Sequence, residues 1–293
     1  MSLKHYTEDD PNVTILDPNV IVFHNVLSDP DEYIDFNEEN LNWRGWYGFG
    51  RQVDHPGLNI QRNPHIPTKE EIDSRLDADE KALEDIYLRE ISYEFISATD
   101  FYVRYTGIDL PNWSVQPWGL ARYIPDENLI NHDKLTMNYH TDYVVKEQDV
   151  PGDKFAITAV IYANDDYEGG EISFRVIGDG GIEKEFDYKP KAGDMVMFPA
   201  KHPYYHGVKR IYGAPKYITR LYWSYYYEGS DSWHRLKAKY GEKFEELERE
   251  RFNRNDLLIA APYLRQRMSM DTYYELLDAG ELLDDYTQTD VGE

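Results

Sequence analysis

Apolar residues recur every four positions at Leu83, Tyr87, Ile91 and Phe95. That spacing marks a long helix with one apolar stripe. Thr68-Lys69-Glu70-Glu71 upstream has the spacing of a capping box. An earlier helix start is read at Ser28-Asp29-Pro30-Asp31, ahead of Tyr33-Ile34-Asp35-Phe36. From about Leu120 the pattern shifts to short apolar runs. These are Gly119–Tyr123, Phe155–Tyr162, Glu171–Val176, Met195–Phe198 and Tyr217–Trp223, separated by Gly, Asn, Asp and Pro clusters. Such punctuation predicts an antiparallel β unit. Beyond Gly229 the helical period returns at Trp233, Leu236, Tyr240, Phe244 and Leu247, and a last helix is expected to stop at Gly280 before a frayed acidic tail. The reading is mainly β with helical flanks. Residues 1–118 form an N-terminal segment with supporting helices, 119–228 the β core, and 229–293 a C-terminal helical extension, together one compact domain.

Composition narrows the function classes. A chain of 293 residues with 41% hydrophobic and 15% aromatic residues can bury a sizeable core, so wholesale disorder is excluded. No apolar run approaches the roughly 20 residues of a membrane span. The start, Met1-Ser2-Leu3-Lys4-His5, lacks the apolar core of a signal peptide. The net charge of −24 disfavours duplex nucleic acid as a partner, because phosphates are repelled where no basic patch intervenes. With no cysteine there is no disulfide framework and no thiolate ligand. A soluble, cytoplasmic protein is the expectation.

Candidate chemistry lies inside the β region. His140 and Asp142 are two apart, so on a strand they share one face. A second imidazole from a neighbouring strand, His206 or its rival His202, would complete a set of two His and one carboxylate. That set leaves coordination positions open, as in non-haem Fe(II) oxygenases. A His-x-Asp triplet alone is weak, since the chain has nine His among many acids.

The context is more specific. The segment from about Gly119 to Trp223 resembles the Fe(II)- and 2-oxoglutarate-dependent oxygenases, in their prolyl-4-hydroxylase-like branch. The matching blocks run in family order: Ala121-Arg122-Tyr123, His140-Thr141-Asp142, Ile161 through Gly169-Gly170 to Phe174, Pro190-Lys191-Ala192-Gly193-Asp194 to Pro199, and His206-Gly207-Val208 before Lys216-Tyr217. The resemblance implies a double-stranded β-helix, or jelly roll, with helices packed outside one sheet. It implies His140, Asp142 and His206 as metal ligands, His206 being preferred because Gly207-Val208 follows it. It implies Tyr162 on the distal carboxylate of 2-oxoglutarate and Tyr123 near the metal-binding end of that co-substrate. Lys216 is assigned to the distal carboxylate, with Arg220 as rival or as a metal-proximal or substrate contact. Fe(II) with one aspartate keeps a positive charge that dianionic 2-oxoglutarate reverses, so a buried cation is needed.

The implied cofactors are Fe(II), 2-oxoglutarate and O2, with ascorbate as an accessory reductant. The implied reaction is hydroxylation of a protein or peptide side chain or a small amino-acid-like molecule, releasing succinate and CO2. Retention of Asp142 argues against halogenation. The rival class is a jelly-roll binding module without turnover. Two departures bear on substrate: an insertion over Asp126–Asn131, and Met137 where many members carry Tyr. Tyr143–Lys154 resembles the loop that covers substrate. Gly169-Gly170 reads as a turn, since no Lys-Ser/Thr follows to make a phosphate loop. Trp43–Arg51 reads as an aromatic loop packed on the body, with a lid or substrate-contacting surface as the alternative.

Overall fold

The computed structural model describes residues 4–39, 47–49, 60–62, 78–108, 113–125, 135–142, 154–225, 237–238 and 241–243. The chain enters through β1 (Val13–Asp17) and β2 (Val20–Phe23), then helix α1 (Pro30–Glu39). Asp29 caps this helix, its Oδ1 accepting from the Glu32 backbone N–H at 3.0 Å, and Pro30 occupies the first helical position. Proline costs nothing there, because that N–H lacks an intrahelical partner anyway. Short strands β3 (Tyr47–Phe49) and β4 (Ile60–Arg62) precede the long helix α2 (Ala78–Thr106). Gly107 ends α2 with φ of +69°, a left-handed conformation suited to a C-terminal stop.

The β core follows: β5 (Trp113–Tyr123), β6 (Leu135–His140), β7 (Lys154–Tyr162), β8 (Glu168–Gly169), β9 (Ile172–Gly178), β10 (Gly181–Tyr188), β11 (Met195–Pro199), β12 (Tyr204–Lys209), β13 (Ile211–Tyr212) and β14 (Lys216–Tyr225). The larger sheet runs β1-β2-β11-β7-β14-β5-β4-β3, the smaller β10-β9-β12-β6, and β8 and β13 form a short ribbon. All pairings are antiparallel. Apart from the β9–β10 hairpin within the smaller sheet and the β8–β13 ribbon, core strands pass back and forth between the two main sheets. This is the jelly roll that the resemblance implied.

The central strands β2, β7, β11 and β14 of the larger sheet are buried on both faces, which explains the continuous apolar runs of β7 and β11. Ala159, Ile161, Met195, Met197, Leu221 and Trp223 face outward to α1 and α2. Val160, Tyr162, Val196, Phe198 and Ile218 face inward to Phe174, Tyr204 and Val208 of the smaller sheet. The predicted helical stripe does its expected work, with Tyr87, Ile91 and Phe95 all buried against the sheet. Phe95 stacks on Trp223 with centroids 5.0 Å apart, and the indole N–H donates to Thr99 Oγ1 at 2.6 Å.

Several expectations need adjustment. The Trp43–Arg51 loop contains β3, which extends the larger sheet through β4. Strand β5 begins at Trp113, ahead of the run read from Gly119, because Pro117 and Gly119 mask its apolar pattern. β10 was not foreseen, since it is a mostly exposed edge strand rich in charge, with Phe186 and Tyr188 packed partly on the inner core. The helix start near Thr68, the Asp126–Asn131 insertion, most of the Tyr143–Lys154 loop and the helices after Gly229 (apart from residues 237–238) lie outside the described residues.

Trp223→Ala removes a fully enclosed indole, its stack on Phe95 and its bond to Thr99. Truncations of this kind cost about 3–5 kcal/mol. Urea denaturation should show that loss, and a change below about 1 kcal/mol would mean the helix–sheet seam contributes far less than its burial implies.

Candidate active site

β12 lies between β9 and β6, and its register sets His206 opposite His140 on β6. The two imidazoles lie with ring centroids 4.3 Å apart. Asp142 joins them by a different route from the one read in the sequence. β6 stops at His140, and Asp142 sits in the bend beyond it, so strand alternation does not present it. Thr158 on β7, in the opposite sheet, donates to Asp142 Oδ2 at 2.7 Å and holds the carboxylate over the barrel. His140 Nε2 is 3.5 Å from Asp142 Oδ1, and His206 Nε2 is 3.6 Å from Oδ2. The three ligand atoms lie within 4.8 Å of one another, the one such His/Asp/Glu group among the described residues.

The protonation states suit a divalent cation. His140 Nδ1 lies 2.9 Å from the Asn138 carbonyl; donating there leaves Nε2 as the lone-pair nitrogen. Burial disfavours protonated His140, but the Asp142 carboxylate and backbone carbonyls outweigh it and raise its pKa. Burial dominates at His206, which is pushed down to about 3 and is therefore neutral. Burial also opposes ionisation of Asp142, yet the two imidazoles and the Thr158 hydroxyl hold its pKa at about 2. Two imidazoles and one carboxylate facing a common point fit a first-row divalent ion, which would take His140 in its neutral form. His202 is exposed in the turn after β11, its ring turned toward Tyr205, and takes no part in the cluster.

A second polar locus lies further along the inner face of β14. Lys216, Ile218, Arg220 and Tyr222 alternate onto that face and pair with Tyr123, Tyr162, Val160 and Thr158 respectively. Tyr222 is thus level with the Asp142 support, and Lys216 stands at the other end of the same inner-face series. Lys216 is 1% exposed and donates to the Gly170 carbonyl at 2.5 Å. Its ammonium lies 4.8 Å from the Tyr162 ring, 5.3 Å from Tyr167 and 6.0 Å from Tyr123. Burial, then the charge of Lys189, lowers its pKa to about 7. Arg220 is buried between the two loci, beside the Tyr222 hydroxyl.

All seven residues singled out in the sequence therefore line one barrel interior. Four more went unread. Thr158 had a signal, as the polar residue in the inner-face series with Val160 and Tyr162. The Gly169-Gly170 turn was seen, but the Gly170 carbonyl as acceptor for Lys216 was not. Tyr167 and Lys189 had no local signal, because only the chain's return brings them to Lys216.

Residues 121–227 match the family model of the 2OG-Fe(II) oxygenase superfamily. Over that segment the chain is similar to members of that superfamily, and the ordered sequence blocks from Ala121 to Tyr217 fall inside it. Among solved structures, a Pseudomonas putida prolyl-4-hydroxylase is similar at 15% identity, covering 71% of this chain and 94% of that one, with a TM-score of 0.44. A Trichoplax adhaerens prolyl hydroxylase, solved with a hypoxia inducible factor peptide, is similar at 19% identity over 71% and 84%, TM-score 0.43. The viral collagen prolyl hydroxylase of Paramecium Bursaria Chlorella virus-1, in its 2OG complex, is similar at 15% over 71% and 97%, TM-score 0.40. No curated protein sequence matches the chain. No helix among the described residues is long and apolar enough to cross a membrane.

Two outcomes follow. Thr158→Val keeps the shape but removes the donor to Asp142, and divalent metal affinity should fall about tenfold in a chelator-competition titration. An unchanged affinity would show that the bend alone orients Asp142. Lys216 has a folded pKa of about 7 against an ordinary 10.5, so between those values the unfolded chain binds more protons than the folded one. Stability then rises with pH across that window and levels off above it. Denaturation of wild type and Lys216→Met at pH 7 and pH 10 should show a gap between them that narrows as pH rises. A gap independent of pH would mean that Lys216 keeps an ordinary lysine pKa in the folded protein.

Proposed function

We propose that this protein is an Fe(II)- and 2-oxoglutarate-dependent dioxygenase that hydroxylates a protein or peptide side chain or a small amino-acid-like molecule. The observation that carries the reading is the pairing, inside one barrel, of a two-His, one-Asp cluster with a fully buried lysine ammonium. In this reading His140, Asp142 and His206 hold the iron. Lys216 receives the distal carboxylate of 2-oxoglutarate, with the Tyr162 hydroxyl as second donor. Tyr123 lies toward the end of the co-substrate that faces the metal. When bound, iron and 2-oxoglutarate supply the oxidising chemistry, with O2 consumed and succinate and CO2 released, and ascorbate serving to keep the iron reduced.

The chain's own contribution is orientation and exclusion of water. Phe174 and Phe198 pack on His206 and keep that imidazole dry and neutral. Thr158 fixes the Asp142 carboxylate, which occupies a coordination position that a halide would otherwise require; hydroxylation is the better fit on that ground. Arg220 lies between the metal cluster and Lys216 and is placed to meet an acidic group on substrate. The cytoplasm is the protein's proposed location.

The decisive assay is succinate formation from 2-oxoglutarate with Fe(II), O2 and ascorbate. Wild type should turn over slowly without substrate, and His140→Ala, Asp142→Ala and His206→Ala should each abolish metal binding and turnover while the fold survives. Lys216→Ala should raise the KM for 2-oxoglutarate about tenfold or more, through loss of a charge-assisted bond. A larger rise in Arg220→Ala would exchange the two assignments. Wild type that binds neither metal nor 2-oxoglutarate would favour a binding module instead.

A further inference from the structure

Tyr167 lies on the loop that closes over Lys216. It is 3% exposed, and its hydroxyl is buried with no hydrogen-bond partner among the described residues. Buried hydroxyls are nearly always bonded, and one that is not calls for a ligand or another explanation. The ring is fixed from several sides. A Cβ on Gly170 would lie 2.7 Å from Tyr167 Cε2, so the turn leaves no room for a side chain there, and its φ of +68° also demands glycine. Lys189 places its ammonium 3.7 Å from the ring centroid and donates to the carbonyls of Tyr167 at 2.8 Å and Gly169 at 2.6 Å. The Lys216 ammonium is 5.3 Å from the same centroid and binds the carbonyl of Gly170. Loop, ring and both ammonium groups form one assembly.

We infer that the Tyr167 hydroxyl is a further donor to the carboxylate that Lys216 receives, and so a determinant of selection for 2-oxo acids with a distal carboxylate. The inference rests on the co-substrate reading above. The chemistry is consistent: a carboxylate has about four acceptor directions, and an ammonium committed to a carbonyl cannot satisfy them alone. Burial first, then neighbouring acids, raises the Tyr167 pKa; burial and then Tyr167 itself raise that of Tyr162. Both hydroxyls therefore remain protonated donors at neutral pH. Lys189 is a positioning residue in this arrangement, acting through the ring and the Gly169-Gly170 backbone.

Titration calorimetry on Zn(II)-loaded protein, which is inert to O2, tests the inference with two probes of equal chain length. 2-Oxoglutarate has the distal carboxylate; 2-oxopentanoate has a methyl group in its place. Tyr167→Phe should weaken 2-oxoglutarate about tenfold, the effect of one charge-assisted hydrogen bond. It should leave 2-oxopentanoate unchanged and the melting temperature unchanged or higher, since an unpartnered buried hydroxyl is removed. Equal 2-oxoglutarate affinity in Tyr167→Phe and wild type, with Lys216→Met losing it, overturns this inference alone. Equal losses for both probes would mark a structural role and also overturn it. Wild type that binds neither acid overturns the co-substrate reading and this inference with it.

Discussion

Burial of the larger sheet's central strands, β2, β7, β11 and β14, on both faces is the constraint from which the rest of the architecture follows. Helices α1 and α2 cover one side through Tyr87, Ile91, Phe95 and their neighbours, and the smaller sheet covers the other. A strand so enclosed cannot send polar side chains to water, so every inward polar residue needs a partner inside the barrel. β14 shows the effect: Leu221 and Trp223 complete the helix-facing core, while Lys216, Arg220 and Tyr222 are committed to the interior. The polar interior and the site are therefore the same set of residues.

Electrostatics sharpen that conclusion. Asp142 is held ionised by the two imidazoles and Thr158, and burial holds the imidazole of His206 neutral, so a carboxylate and a lone-pair nitrogen face a common point. At the other end, the Lys216 ammonium has one carbonyl and three aromatic rings around it. Cation–π contacts and a single hydrogen bond recover only part of the hydration lost, which is why its pKa falls to about 7. Each end is thus complementary to a ligand of opposite charge. A molecule that chelates a metal at one end and carries a carboxylate at the other relieves both.

Much of this was legible along the chain. The four-residue stripe of α2, the double-sided apolar runs of β7, β11 and β14, and the blocks around His140, His206 and Lys216 all carry local or ordered signals. Legibility failed where burial is partial or contacts are distant. β10 is an edge strand whose charged residues dilute its alternation. Thr158 meets Asp142 across two sheets, and Tyr167 and Lys189 reach Lys216 only through the β8–β13 region. His202 and His206 share a residue type and a neighbourhood in sequence; the Gly207-Val208 context favours His206, and the exposed turn at one and the β12 register at the other separate them in space.

The sequence by itself determined a mainly β chain with helical flanks, the helix-facing stripe and the spacing of the ligand candidates, because periodicity and residue chemistry are local properties; the jelly roll and the need for a buried cation were what the family resemblance implied. Tertiary structure decided which surface each strand residue meets and how Asp142 is held once β6 has ended. It also decided that Arg220 lies between the metal cluster and Lys216, and that Tyr167 closes the lysine site. Those facts depend on strand register and on contacts between residues far apart in the chain, which no local pattern encodes.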